Sequence, residues 1–122
     1  MKRILVAEDS TMMLETIFRS LKREGYDVIK SNDGKECLEI LETTEPDMII
    51  TDLYMPRVNG HEVIANVRDE RKMNIPILVL SAGGVEDNVL KAFDLGADDF
   101  MVKPFSLEEL NVRVRKLLAT SR

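Results

Sequence analysis

The sequence predicts an α/β fold with a parallel sheet covered by helices on both sides. Short apolar runs recur along the chain, longer segments of helical period separate them, and acids, Gly or Pro close each run. The first strand runs from Ile4 to Ala7 and stops at Glu8 and Asp9. Leu14, Ile17, Phe18 and Leu21 then fall at i, i+3, i+4 and i+7, one stripe of a helix that Gly25 ends. A weaker strand from Tyr26 to Lys30 follows, and a helix from Lys35 to Leu41 turns Cys37, Leu38 and Leu41 inward. The third strand runs from Met48 to Ile50, and the helix from Glu62 to Val67 carries Val63, Ile64 and Val67. The fourth strand is Ile77 to Leu80, and its helix, Val85 to Leu95, sets Val85, Val89 and Phe93 toward the core. A weaker fifth strand spans Asp98 to Val102. The last helix, with Ser106 as N-cap and Glu108 and Glu109 near its positive end, buries Leu107, Leu110, Val114, Leu117 and Leu118.

The 122 residues, 44% apolar and 32% charged, suit one domain over residues 1–122 with one buried core. Acids outnumber bases by 22 to 17, for a net charge of −5, so no basic stripe is expected. That argues against direct nucleic-acid binding by this chain and against an anionic membrane surface. The lone Cys37 cannot close an internal disulfide, and no His or Cys cluster has zinc spacing, which fits a reducing cytoplasm. The apolar runs are too short for a signal h-region or a spanning helix.

In an open parallel sheet, functional groups gather beyond the carboxyl ends of the strands. There stand Glu8 and Asp9 after the first strand, Asp52 at the end of the third, Ser81 at the end of the fourth, and Lys103 with Pro104 after the fifth. Taken singly, each has a plain reading. Asp9 and Ser10 are N-cap types, Asp52 suits a turn leading to Pro56 and Asn59-Gly60, and Lys103 suits a solvated surface. Together, three carboxylates at one rim repel one another unless a cation lies among them, and the oxygen-only set suits magnesium with a phosphate as the remaining ligand. A nucleophilic carboxylate supported by a metal, an ammonium and a hydroxyl is an arrangement for phosphoryl transfer.

The acidic pair Glu8–Asp9, Asp52 in "TDLYMP", Ser81 in "LSA" and Lys103 in "VKPF" resemble the receiver domain of bacterial two-component response regulators, chemotaxis regulators included. The match runs from Lys2 to about Leu118, and Ser81 lies 29 positions beyond Asp52 and Lys103 22 beyond Ser81, as in that family. The resemblance implies a flavodoxin-like three-layer (βα)5 fold, a doubly wound sheet of strand order 2-1-3-4-5; the handedness and order rules for such sheets are general, but this order is carried over from the family.

By the same resemblance, Asp52 is the phosphoacceptor, taking a phosphoryl group from a sensor histidine kinase or histidine phosphotransfer protein. Asp9, Asp52 and the main-chain carbonyl of Tyr54 ligate Mg2+, with Mn2+ as a substitute, and Glu8 acts directly or through water. Lys103 pairs with the aspartyl phosphate, Ser81 turns toward it, and Phe100 swings inward as the switch aromatic. The Lys103-Pro104 bond is a candidate cis peptide. The chain is then a phosphoacceptor, not an enzyme, which phosphorylates itself from small donors and slowly loses the group. Its fourth-helix, fifth-strand, fifth-helix face, with Lys91, Asp94, Asp98, Asp99, Glu108 and Arg113, meets a downstream protein target, and a phosphorylation-dependent homodimer is left open.

Other residues carry smaller expectations. His61 is read as a solvated helix-start residue and Cys37 as packing. At least one of Met12 and Met13 lies beside the rim as an adaptable apolar contact. Gly83 and Gly84 loosen the loop after Ser81, and the bulk of Tyr54 slows acyl-phosphate hydrolysis. A flavin mononucleotide site is disfavoured because Glu8 and Asp9 would repel the ligand phosphate, and a haloacid-dehalogenase-type phosphatase because "EDS" lacks the second Asp of its motif. A phosphorylation-independent adaptor is disfavoured because no motif position is lost. A receiver cut from a longer regulator with a DNA-binding or enzymatic output domain remains the alternative.

Overall fold

The structure is a computed structural model and describes residues 1–83 and 86–120, with Glu86 in its backbone only. Five strands, β1 (Arg3–Ala7), β2 (Asp27–Ser31), β3 (Met48–Asp52), β4 (Ile77–Ser81) and β5 (Asp99–Val102), alternate with α1 (Thr11–Arg23), α2 (Gly34–Leu41), α3 (Gly60–Ala65), α4 (Glu86–Leu95) and α5 (Leu107–Ala119). The strands pair in parallel in the order β2-β1-β3-β4-β5, the flavodoxin-like order expected.

The uninterrupted apolar runs make sense once both faces are covered. Successive side chains of a strand point to opposite faces, so every residue of β1 after Arg3 meets a helix layer. Ile4 and Val6, with Met48, Ile50, Leu78, Leu80 and Met101, pack under Leu14, Ile17 and Leu21 of α1 and Leu110 and Val114 of α5. Leu5 and Ala7, with Ile49, Ile77 and Val79, pack under Cys37 and Leu41 of α2, Val63 and Ile64 of α3 and Ala92 of α4. Each such Leu, Ile or Val, wholly buried, contributes about 1.5–3 kcal/mol relative to exposure. Caps set the starts. Ser10, Asp33, Asn59 and Ser106 each accept a hydrogen bond from a first-turn backbone N–H, and Asn59 with Glu62 forms a capping box. Gly25, at φ +97°, closes the end of α1.

Several expectations shift. β2 excludes Tyr26, whose N–H is spent on Leu21 O at 3.2 Å in the closing turn of α1, and it reaches Ser31 instead. β3 and β4 run past the expected Ile50 and Leu80 to Asp52 and Ser81, which end the two strands as expected. Asp98 precedes β5 because the Arg68 guanidinium, 2.9 Å away, holds its carboxylate. α3 changes after Ala65 into a π-helical turn, Asn66–Glu70, that still buries Val67. In α4, Ala92 is the inward residue, while Phe93 and, in α5, Leu107 are partly exposed. Val85 and Gly84 lie outside the described residues. Among the described residues no helix is long and apolar enough to cross a membrane.

Candidate functional site

The parallel register brings the carboxyl ends of β1, β3, β4 and β5 to one edge, and the site grows from that edge. Glu8 follows β1 with its N–H on Ser31 O at 3.1 Å, which turns the chain over the rim. Its carboxylate is wholly buried, taking the Ser10 N–H on Oε2 at 3.0 Å. Asp9 stays exposed. Asp52 ends β3 beside Leu80 and is 5% exposed. Lys103, beyond β5, is fastened by its N–H to Ser81 O at 2.6 Å and enters the cis peptide to Pro104, the isomer expected.

From that position the Lys103 ammonium lies 2.7 Å from Asp52 Oδ2 and 2.8 Å from Glu8 Oε1. The plain reading of a solvated lysine is therefore overturned. A carboxylate oxygen from each of Glu8, Asp9 and Asp52 lies within 4.8 Å of the others. Burial pushes the Glu8 carboxyl above its usual range, against the hydrogen bonds from Lys103 and Ser10. Burial works against the Lys103 ammonium, but its bonds to Asp52 and Glu8 outweigh that and raise its pKa. One ammonium facing three carboxylates leaves an excess of negative charge among oxygen donors, a set suited to a hard divalent cation.

Ser81 is buried and its hydroxyl accepts the Gly83 N–H at 3.2 Å, with Gly83 at φ +92°. Phe100 is half-buried, and the Phe93 ring meets it edge-on at 5.7 Å between centroids. Tyr54 is half exposed and its hydroxyl hydrogen-bonds to the Asn88 amide. Met12 is 81% exposed while Met13 packs inward, so one of the pair does stand free of the core. Cys37 packs as expected, its thiol pushed up to about 12 by burial. On the α4–β5–α5 face, Lys91 and Asp94 are exposed and Arg113 pairs with Asp99 at 2.8 Å. Asp98 does not belong to that surface, since Arg68 and the Ile77 N–H, at 2.8 Å, occupy it.

Three features escape a reading of the sequence. Gly60 has no room for a side chain, because a Cβ there would stand 2.4 Å from Asp52 O; the Asn59-Gly60 pair signals only a turn. Asp33 and Arg57 form an ion pair between the loops after β2 and β3, and the backbone N–H of Glu36 together with that guanidinium holds the Asp33 carboxyl low. His61 is half-buried rather than solvated, with Nε2 2.8 Å from Asn88 O.

A family model described as the response regulator receiver domain matches residues 4–115. The chain is 42% identical over 98% of its length to the alkaline phosphatase synthesis transcriptional regulatory protein PhoP of Bacillus subtilis, covering 50% of that protein. It is 40% identical over 97% of its length to the DNA-binding dual master transcriptional regulator RpaA of a Synechocystis strain, covering 49% of it. The chain thus spans about half the length of the curated relatives it matches. Among solved structures, it superposes with a TM-score of 0.89 on a Francisella response regulator receiver domain, at 31% identity and 98% coverage of both chains. The Thermotoga maritima response regulator TrrA, solved in complex with Mg(2+)-BeF, gives a TM-score of 0.85 at 33% identity, over 96% of this chain and 99% of that one.

Proposed function

The chain belongs to the response regulator receiver domain family of two-component signalling, and on that footing we propose that Asp52 is its phosphoacceptor. One observation carries this: the carboxylates of Glu8, Asp9 and Asp52 gather at a single rim with the Lys103 ammonium between two of them. A carboxylate oxygen of Asp52 attacks the phosphorus of a phosphohistidine on a sensor histidine kinase or phosphotransfer protein. A P–O bond forms, the P–N bond breaks, and the imidazole leaves, its free nitrogen taking a proton from solvent. Lys103 is placed to follow the phosphoryl oxygens, and Ser81, whose hydroxyl oxygen accepts the Gly83 N–H, to turn and donate its O–H to them. Glu8, Asp9 and Asp52, with the Tyr54 carbonyl, are the groups that would hold Mg2+ or, in its place, Mn2+. When bound, that ion supplies charge neutralisation to the transferred group.

Phosphorylation then biases a two-state domain, with Ser81 and Phe100 as the switch and the α4–β5–α5 face as the surface offered to a target or to a second copy. A near-complete swing needs about 5 kcal/mol of differential stabilisation, and partial shifts need less. The group leaves slowly, because the Tyr54 side chain, two positions after Asp52, limits attacking water; equal acyl-phosphate half-lives for Tyr54→Asn and wild type would contradict this. A cytoplasmic location and the absence of direct nucleic-acid contact by residues 1–122, taken as one receiver domain, belong to the same reading. The coverage of about half of PhoP and RpaA favours a second reading, a receiver within a longer regulator whose output lies elsewhere. The length of the polypeptide in its native cell decides between the two.

The test is intact-mass measurement after incubation with a small acyl or amido phosphate and magnesium. One phosphoryl group is expected, absent in Asp52→Asn and in a chelated sample. No gain under conditions that trap short-lived acyl phosphate contradicts the proposal.

A further inference from the structure

α4 is tied down differently at its two ends. Just past its end, Arg68 donates from Nε to Gly96 O at 3.0 Å, while its Nη2 reaches Asp98 at 2.9 Å and its Nη1 the carbonyls of Met73 and Ile75 at 2.7 and 2.8 Å. Gly96, at φ +120°, leaves no space there, since an added Cβ would meet Arg68 Cγ at 2.8 Å. Arg68 is itself mostly buried, and its bond to Gly96 O ties the turn that ends α4 to the segment around Met73, Ile75 and Asp98. Near its start, among the described residues, two hydrogen bonds converge on Asn88: His61 Nε2 to its main-chain oxygen at 2.8 Å, and its side-chain amide to the Tyr54 hydroxyl.

We propose that Asn88 is the catch of a latch that holds the start of α4 in the position seen here, with His61 and Tyr54 as its two arms. The arms come from the two segments that follow Asp52, the loop at Tyr54 and the first turn of α3, so the latch joins α4 to the chain leaving the proposed phosphoacceptor. His61 donates through Nε2 as the Nε2–H tautomer and as imidazolium alike. Release of the two arms leaves the start of α4 free to move. Phe93 of α4 rests on Phe100, so a swing changes the wall against which that ring packs. The inference deepens the receiver reading and rests on it for the link to phosphorylation, but the latch itself is a property of the unmodified chain.

Amide hydrogen exchange on the full chain without phosphodonor tests it. In His61→Phe and in Asn88→Ala, the amides from Val89 to Leu95 are expected to exchange about two- to ten-fold faster, the loss of one net hydrogen bond, while those of β1 keep their rates. His61→Gln, whose amide can still donate, retains protection. Unchanged α4 exchange in both deletions overturns the latch, as does acceleration of β1 in the same proportion, which would mark general destabilisation. A phosphodonor arm with intact mass read on the same samples separates the two claims. Wild type phosphorylated with no gain in α4 exchange overturns the link between the latch and phosphorylation, whereas failure to phosphorylate contradicts the receiver chemistry; the latch itself is judged by the unmodified comparison.

Discussion

Lys103 and Glu8, 95 positions apart in the chain, meet at 2.8 Å, and the same ammonium reaches Asp52 at 2.7 Å. A positive group between two buried carboxylates makes their coexistence tolerable. Without it, each would face the other in a setting that already disfavours charge.

Lys103→Met should therefore destabilise the protein at neutral pH by about 2 kcal/mol, less than the 3–5 typical of a fully buried pair because the lysine keeps some solvent contact. Urea unfolding of both proteins in chelator checks this, and an unchanged midpoint would show that the pair is energetically idle.

Glu8 makes a pH dependence with a definite sign. Burial raises its carboxyl in the folded state above the ordinary 4.5. Such a group contributes stability that is complete below the unfolded value and is lost as pH rises through the folded one. Glu8→Gln lacks that loss, so its stability relative to wild type should increase with pH from 4.5 upward until Glu8 is ionised. Melting temperatures of the two in chelator, taken at steps from pH 4 to 8, measure it; a constant difference would contradict the assignment.

Magnesium should raise the melting temperature by mass action, by about 1.4 kcal/mol of stability at ten times its dissociation constant. Asp9→Ala, which leaves the Lys103 bridge intact, should remove most of the effect. A calorimetric scan with and without the ion reads both, and an equal gain in Asp9→Ala would place the ion elsewhere.

Two glycines separate crowding from backbone strain. Gly60→Ala forces a Cβ to 2.4 Å from Asp52 O and 2.8 Å from Leu53 Cα, and should cost about 3 kcal/mol while displacing Asp52. Gly25→Ala meets nothing within 4 Å and carries only the penalty of φ +97°, about 1 kcal/mol. Denaturant midpoints rank them, with small-donor phosphorylation slowed in Gly60→Ala alone.

The fold was readable because buried parallel strands need apolar residues on both faces, so Ile4–Ala7 and Ile77–Leu80 stand out as unbroken runs. The rim was readable because its charged residues interrupt those runs where the strands end. Boundaries were harder: Tyr26 looks like strand by composition, and only its hydrogen bond to Leu21 assigns it to a turn. Long-range partnerships were harder still. Nothing local pairs Arg68 with Asp98 or His61 with Asn88, and Gly60 reads as a turn residue until the backbone of Asp52 is seen beneath it.

The central claim is that Asp52 itself carries the phosphoryl group. Protein treated with a small phosphodonor and magnesium, reduced with borohydride and digested, should yield homoserine at position 52 and nowhere else, since an aspartyl phosphate is reduced where a free carboxylate is not. Homoserine at position 9, or phosphate recovered on His61 with Asp52 intact, would contradict the account.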